Sequence, residues 1–226
     1  MTDHADEIEQ ARRATQAIYE RQARYWDNVR PTSLYEKPWL DRFVRNLPPG
    51  ASLLDLGCGS GVPVAGYFLD QGFSVVGVDY AETMIALARQ RYPAAEWHVG
   101  DIRNVDVTGQ FDGIYSWDGF FHLNVEEQRI AVPDLCARIR SGGAILLTVG
   151  TGQGEVTGTV GGETVYHASL DPEEYDRLFR QNGFETVTFV PKDENCHGRS
   201  VLLASGKGQS PELPARRPNA PQTHGS

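Results

Sequence analysis

Leu53-Leu54-Asp55-Leu56-Gly57-Cys58-Gly59-Ser60-Gly61 decides the fold. Ala51 to Leu56 is a short, mostly apolar run of strand length, and three glycines then fall within five residues. The helical pattern of Val62 to Asp70 follows at once and is closed by Gly72. Glycines at a strand exit let the backbone turn tightly, and they leave no Cβ where a ligand must lie against the chain. A nucleotide held by such a turn lies beyond the C-terminal ends of the strands, near the switch point of an open α/β sheet.

Outward from this turn the chain alternates strands and helices. Ser74 to Val78, Glu96 to Val99, Phe111 to Trp117 and Ala144 to Val149 read as further strands. Glu82 to Arg91, ended by Pro93, and Val125 to Arg140, stopped by Ser141-Gly142-Gly143, read as helices between them. Strands that are apolar almost throughout belong to parallel sheets covered on both faces. Gly150 to Ala168 breaks the rhythm, and its Gly, Thr and Val content suits a β-hairpin or a mobile loop over the sheet. Asp171 caps a helix with Pro172 at its first position, running to Asn182-Gly183. Phe184 to Val190 and Ser200 to Ala204 are placed to close the sheet as an antiparallel pair. At the N-terminal side, Ala5 to Trp26 reads as a helix, and a short second helix capped by Thr32 or Ser33 ends at Pro48-Pro49-Gly50.

The ligand chemistry follows from two acids. Asp79 ends the second strand, roughly 20 residues past the glycine turn, where a carboxylate meets ribose hydroxyls. That station serves any unphosphorylated ribose, NAD included. Two details point away from a dinucleotide: Val62 stands where the dinucleotide pattern needs its third glycine, and Asp55 precedes the turn. An acid there repels a pyrophosphate and favours a cationic aminoacyl group. The ligand is a nucleoside carrying an ammonium and no phosphate, and S-adenosylmethionine (SAM) is such a molecule.

Asp55 to Gly61, Val76-Gly77-Val78-Asp79 with Met84 in the next helix, Gly100-Asp101-Ile102 and Phe111 to Trp117 together resemble, in order, the motifs of class I SAM-dependent methyltransferases of the small-molecule type. The resemblance covers Ala51 to Val149. It implies a Rossmann-like seven-stranded sheet in the order 3-2-1-4-5-7-6, with strand seven antiparallel. It also implies that Gly57, Cys58 and Gly59 hold the methionine part of SAM and Asp79 the ribose, with Tyr80 or Met84 packing on adenine. Asp101 would bond the adenine amino group, with the Ile102 backbone beside it. Residues 1–46 are then expected to form a helical lid, 47–205 the SAM-binding domain and 206–226 a disordered polar tail. Tyr25 of the lid would touch the methionine end, and the dense aromatics place Trp39 and Trp117 near the cofactor too.

His122 is the candidate general base. It follows the fourth strand, where the family places groups facing the reacting centre, and an imidazole suits proton removal near neutral pH. The plainer reading is a histidine capping the next helix or bonding a loop carbonyl. Phe121, Tyr166 and His167 are candidates for substrate contact, though Tyr166-His167 also suits a loop end; Cys196-His197 reads as a turn between strands. No cluster of acids with an Asn suggests a metal site.

The bulk properties narrow the partners. Net charge is −9 with a pI near 5.1, and no basic run marks a nucleic-acid face. No apolar stretch is long enough to span a bilayer, the N-terminus is acidic and polar, and three scattered cysteines suit a reducing cytoplasm. A small-molecule substrate and a monomer or homodimer are expected. The main expectation is methyl transfer to an O, N or C nucleophile of a small metabolite. The alternatives are a SAM-consuming cyclase or aminopropyl-type transferase, a NAD-dependent oxidoreductase and a non-catalytic SAM-binding protein.

Overall fold

The computed structural model describes residues 2–208. In chain order the helices are α1 (Thr2–Val29), α2 (Lys37–Val44), α3 (Val64–Asp70), α4 (Glu82–Arg91), α5 (Val125–Ala137) and α6 (Pro172–Gln181). The strands are β1 (Ser52–Leu56), β2 (Ser74–Asp79), β3 (Glu96–Val99), β4 (Phe111–Ser116), β5 (Ile139–Val149), β6 (Gly154–Val160), β7 (Glu163–Ser169), β8 (Phe184–Asp193) and β9 (Arg199–Lys207).

Seven strands form one sheet in the order β3-β2-β1-β4-β5-β9-β8. The first five are parallel, and β9 runs antiparallel to both β5 and β8. With the β6–β7 hairpin standing apart as its own two-stranded sheet, this is the order implied by the resemblance. Successive strand residues face opposite sides, so two cores form. Leu54, Leu56, Ile114, Ile145, Leu147 and Leu202 meet α5 and α6 on one face. Leu53, Tyr115, Leu146 and Leu203 meet α2, α3 and α4 through Phe43, Phe68 and Ile85 on the other.

Several boundaries differ from expectation for local reasons. The second helix starts at Lys37 with Glu36 at its N-cap, not at Thr32 or Ser33, because Leu34 takes a left-handed conformation and keeps the chain out of helix until Pro38 can occupy the first turn. α5 ends at Ala137, and β5 begins early because Ile139 pairs with Phe111 ahead of a register shift at Gly113. The Gly-rich segment is a hairpin whose turn is made by Gly161 (φ 57°) and Gly162 (φ 82°), the left-handed pair that matches strand twist. β9 runs through Lys207, so residues 206 and 207, expected in the tail, are strand. Of the expected disordered tail, residues 209–226 lie outside the described residues. Among those described, no helix is long and apolar enough to cross a membrane.

α1 lies across the C-terminal ends of the parallel strands. It is fixed by Ile18 against Val160 and Val165 and by Ala11 against Tyr166 and Ala168, both on the hairpin, and by Ala23 against Ala81 and Met84.

Candidate active site

Beneath α1 lies a cavity of about 340 Å³. Its floor is made of strand exits. Gly57, Gly59 and Gly61 take φ of 75°, 54° and 79°, which a residue with a Cβ rarely adopts. A Cβ on Gly57 would stand 3.3 Å from the Gly119 Cα, so the turns after β1 and β4 touch backbone to backbone. Asp79 closes β2, with Oδ2 accepting from the Gly59 N–H and Oδ1 from the Ala81 N–H, each at 2.9 Å. Burial nonetheless pushes its pKa up. Asp55, only 4% exposed, is pushed up to about 8 by burial. Two desolvated carboxylates in one cavity floor favour a cationic ligand, since positive charge relieves the cost of ionising them. Burial raises the Cys58 thiol well above its usual range, so it is a packed, unreactive group.

At the other end, Asp101 accepts from Gln16 of α1 at 3.0 Å and from Arg103. Burial works against its charge, but these partners hold its carboxyl below the usual range. The Tyr80 hydroxyl donates to the Gln16 carbonyl at 2.7 Å. Met84 and Ile102 line the cavity beside them, and Trp117 lines the β4 side with its Nε1–H buried and without a partner.

The roof is one face of α1. Arg12, Thr15, Gln16, Tyr19, Trp26 and Arg30 recur at helical spacing and line the cavity. Tyr25 does not: one residue before Trp26, it turns outward and is 49% exposed. Trp39 is also elsewhere. α2 packs beneath the sheet, and the buried Trp39 indole donates to Asp193 at 2.8 Å.

His122 faces the cavity from a short 3-10 turn, Phe120–His122. It does not cap α5, which has its own box of Asn124 and Glu127. Its Nδ1 lies 2.8 Å from the Tyr166 carbonyl, which can only accept, so Nδ1 carries the proton. Nε2 lies 2.9 Å from the Tyr19 hydroxyl. Burial drives the His122 pKa down to about 4, so the imidazole is neutral at pH 7 and Nε2 accepts from Tyr19. Phe121 and His167 pack around His122, with ring centroids 4.8 and 5.0 Å away, and do not line the cavity. Tyr166 is buried and contributes its carbonyl, its hydroxyl being spent on Glu155. Eleven predicted residues therefore line the cavity: Asp55, Gly57, Cys58, Gly59, Asp79, Tyr80, Met84, Asp101, Ile102, Trp117 and His122. Sequence reasoning missed Arg30, Asp27 and Asp118, and gave Tyr19 no role beyond its aromaticity, although its spacing from Trp26 was a usable signal.

Comparison with known proteins agrees with this geometry. Residues 53–143 match the family described as methyltransferase domain. This part of the chain is similar to a methyltransferase domain, and the sheet order is that of the class I methyltransferase fold. The match spans the parallel half of the sheet, from the domain's glycine turn to β5. Among curated relatives, a dTDP-3-amino-3,6-dideoxy-alpha-D-glucopyranose N,N-dimethyltransferase of Streptomyces fradiae is 36% identical over 70 residues, 31% of this chain and 27% of that one. A probable tRNA methyltransferase 9B of Mus musculus is 28% identical over 146 residues, 63% of this chain and 30% of that one. The chain thus spans less than half the length of these relatives. Among solved structures, the amino pentose methyltransferase CalS10 of Micromonospora echinaspora, with SAM bound, has a TM-score of 0.63 at 23% identity, covering 82% of this chain and 95% of that one. A Burkholderia thailandensis 1,6-didemethyltoxoflavin-N1-methyltransferase has a TM-score of 0.66 at 20% identity, covering 86% and 87%. These likenesses establish the domain's fold.

Proposed function

We propose that this chain transfers a methyl group from SAM to an O, N or C nucleophile of a small metabolite, with nitrogen the favoured acceptor atom. Nitrogen is favoured because the sugar and toxoflavin relatives are named as N-methyltransferases. The observation that carries the proposal is the pairing of a cation-favouring floor with a fixed, neutral Tyr19–His122 pair in one cavity beneath α1. The residues present fit SAM. Asp55 is a buried acid that gains from a nearby ammonium, and Asp79, anchored by the Gly59 and Ala81 N–H groups, keeps lone pairs that a ribose diol would use. At Gly59 a Cβ would meet nothing nearer than the Met84 sulfur at 4.0 Å, so space is left against the turn, and the Trp117 Nε1–H is a buried donor without a partner. Asp101 and Tyr80 would meet the adenine. When bound, SAM supplies an electrophilic methyl group on a sulfonium.

The chain's own residues handle orientation and the proton. The Tyr166 carbonyl fixes the His122 tautomer and leaves Nε2 as its only lone pair. An acceptor N–H or O–H donating to the Tyr19 oxygen lets Tyr19 pass its own proton to Nε2. Neither group ionises beforehand: burial lowers His122 and raises the Tyr19 phenol. The Trp26, Phe121 and His167 rings around this pair favour an amine in its unprotonated, nucleophilic form. α1 and the hairpin together act as the lid.

The test has two stages. Calorimetric titration with S-adenosylhomocysteine (SAH) must show binding; none at millimolar concentration ends the proposal. Turnover against a panel of small amines and phenols must then release SAH, with His122→Ala lowering kcat by roughly 10²–10⁴-fold while SAH affinity stays within a few-fold. Methylthioadenosine as product would instead indicate a cyclase or aminopropyl-type transferase, and turnover on tRNA alone would exclude the small-metabolite reading.

A further inference from the structure

We infer that Asp118 is a positioning residue that clamps the end of α1 over the cavity, and with it the alignment of Tyr19 on His122. The inference rests on the SAM-binding reading above, and it concerns a residue outside the motifs that carried that reading. Asp118 directly follows Trp117, lines the cavity and stands four residues before His122. It takes φ 61°, a left-handed conformation that is uncommon for residues with a side chain and that Asp and Asn adopt most readily. Such a conformation persists where surrounding contacts over-determine it, and here they do. The Asp118 N–H donates to Thr148 Oγ1 at 2.8 Å, and Gly119 beside it has no room for a Cβ, which would stand 2.8 Å from Ser116 Oγ and 3.0 Å from the Leu56 carbonyl.

The turn holds one carboxylate between two arginines from distant parts of the chain. Arg199 at the start of β9 donates Nε to Oδ1 at 3.1 Å and Nη2 to Oδ2 at 2.9 Å. Arg30, just past α1, donates Nη1 to Oδ2 at 3.2 Å, and its Nη2 reaches the fully buried Glu36 at 2.9 Å. The Arg30 and Asp118 side chains are each only 12% exposed, so water screens this pair little. The sheet side of the clamp is fixed by Arg199 and Thr148. The helix side is the last contact before the chain leaves α1 for α2. Tyr19 lies on the same face of α1 as Trp26 and Arg30, so releasing Arg30 loosens the last turn of α1, which Asp27 still ties to Arg91, and relaxes the alignment of Tyr19 on His122.

The test compares the full-length wild type with Asp118→Asn, Arg30→Gln and the double variant. Asn tolerates the left-handed backbone, so Asp118→Asn removes charge without reshaping the turn. Expected in each single variant is roughly 10- to 100-fold faster amide exchange over residues 26–30, as for a broken, poorly solvated ion pair. SAH should dissociate faster by a similar factor, and the double variant should be no worse than the singles. Unchanged exchange at 26–30 in Asp118→Asn, additive effects in the double variant, or an effect from Arg30→Gln alone would each overturn the clamp. The exchange readout is made without ligand. Failure of wild type to bind SAH would therefore sink the functional reading, whereas unchanged exchange sinks only the clamp.

Discussion

Replacing Asp55 with Asn removes one titratable proton from the cavity floor while leaving its shape nearly intact. Burial holds the Asp55 pKa at about 8, so at pH 7 the free protein carries a proton there in about nine molecules of ten. The ammonium of a bound aminoacyl nucleoside lowers a neighbouring carboxyl by roughly 1–3 units. A fall of about two units takes the protonated fraction to roughly 0.1 and expels about 0.8 proton per SAH bound. Asp79 is also raised by burial and its charge raises Asp55, so the difference between wild type and variant counts Asp55 together with its coupling to Asp79. The assay is calorimetric titration of SAH at pH 7 in buffers of differing ionisation enthalpy. The slope of apparent enthalpy against buffer enthalpy counts the protons. At pH 9 the Asp55 share should largely vanish. Equal proton counts in wild type and Asp55→Asn would show that no ligand ammonium lies near Asp55, and the electrostatic basis for SAM would fail. The same group acts on stability. A carboxyl raised above its unfolded value contributes stability that is fully present below about pH 4 and lost as pH rises through about 8. Ligand-free Asp55→Asn should therefore lose less stability than wild type over that interval.

Four further outcomes are expected. His122, lowered to about 4 by burial, contributes stability that is present above its unfolded value near 6.5 and lost as pH falls through 4, about 3 kcal/mol in all; denaturant unfolding of His122→Gln should show a flatter acid limb. Tyr19→Phe should lower kcat and leave SAH affinity within a few-fold, since the phenol's bond is to His122; an unchanged kcat excludes the proton relay. Asp79→Asn should weaken SAH binding roughly 10- to 100-fold, the scale of a charge-assisted hydrogen bond lost in a buried site. Gly77→Ala places a Cβ 2.3 Å from the Trp97 ring and 2.9 Å from Cys58 Sγ, and should cost roughly 1–3 kcal/mol, read as a drop in Tm.

The sheet was legible because its signals are local. Apolar runs of strand length bounded by Gly and Pro gave β1 to β5, and the acids at strand ends gave the cavity floor. Helix rotation was not legible in the same way. Tyr25 and Trp26 are neighbours in sequence, and only the packing of Ile18 and Ala23 decides that Trp26 faces in and Tyr25 out. Trp39 read as a lid aromatic because nothing local says that α2 packs beneath the sheet and bonds Asp193, 154 residues away. The Arg30–Asp118–Arg199 ties span 88 and 81 residues, and no pattern along the chain announces such a pairing. The histidine candidate was found, but its tautomer and its partner Tyr19 come from contacts 44 and 103 residues apart.

The contact between Gly57 and Gly119 makes a main-chain seam between the turns after β1 and β4 in the cavity floor. Along that seam a point mutation cannot redecorate the surface without disturbing the turn itself. The opposite side is written in side chains of α1 and supported by the hairpin, where one codon changes one contour. New acceptors can therefore be tried by rewriting α1 side chains that touch neither Asp101 nor Tyr80, while the nucleoside seat is left unaltered. Diversification should accumulate on the ceiling and spare the floor.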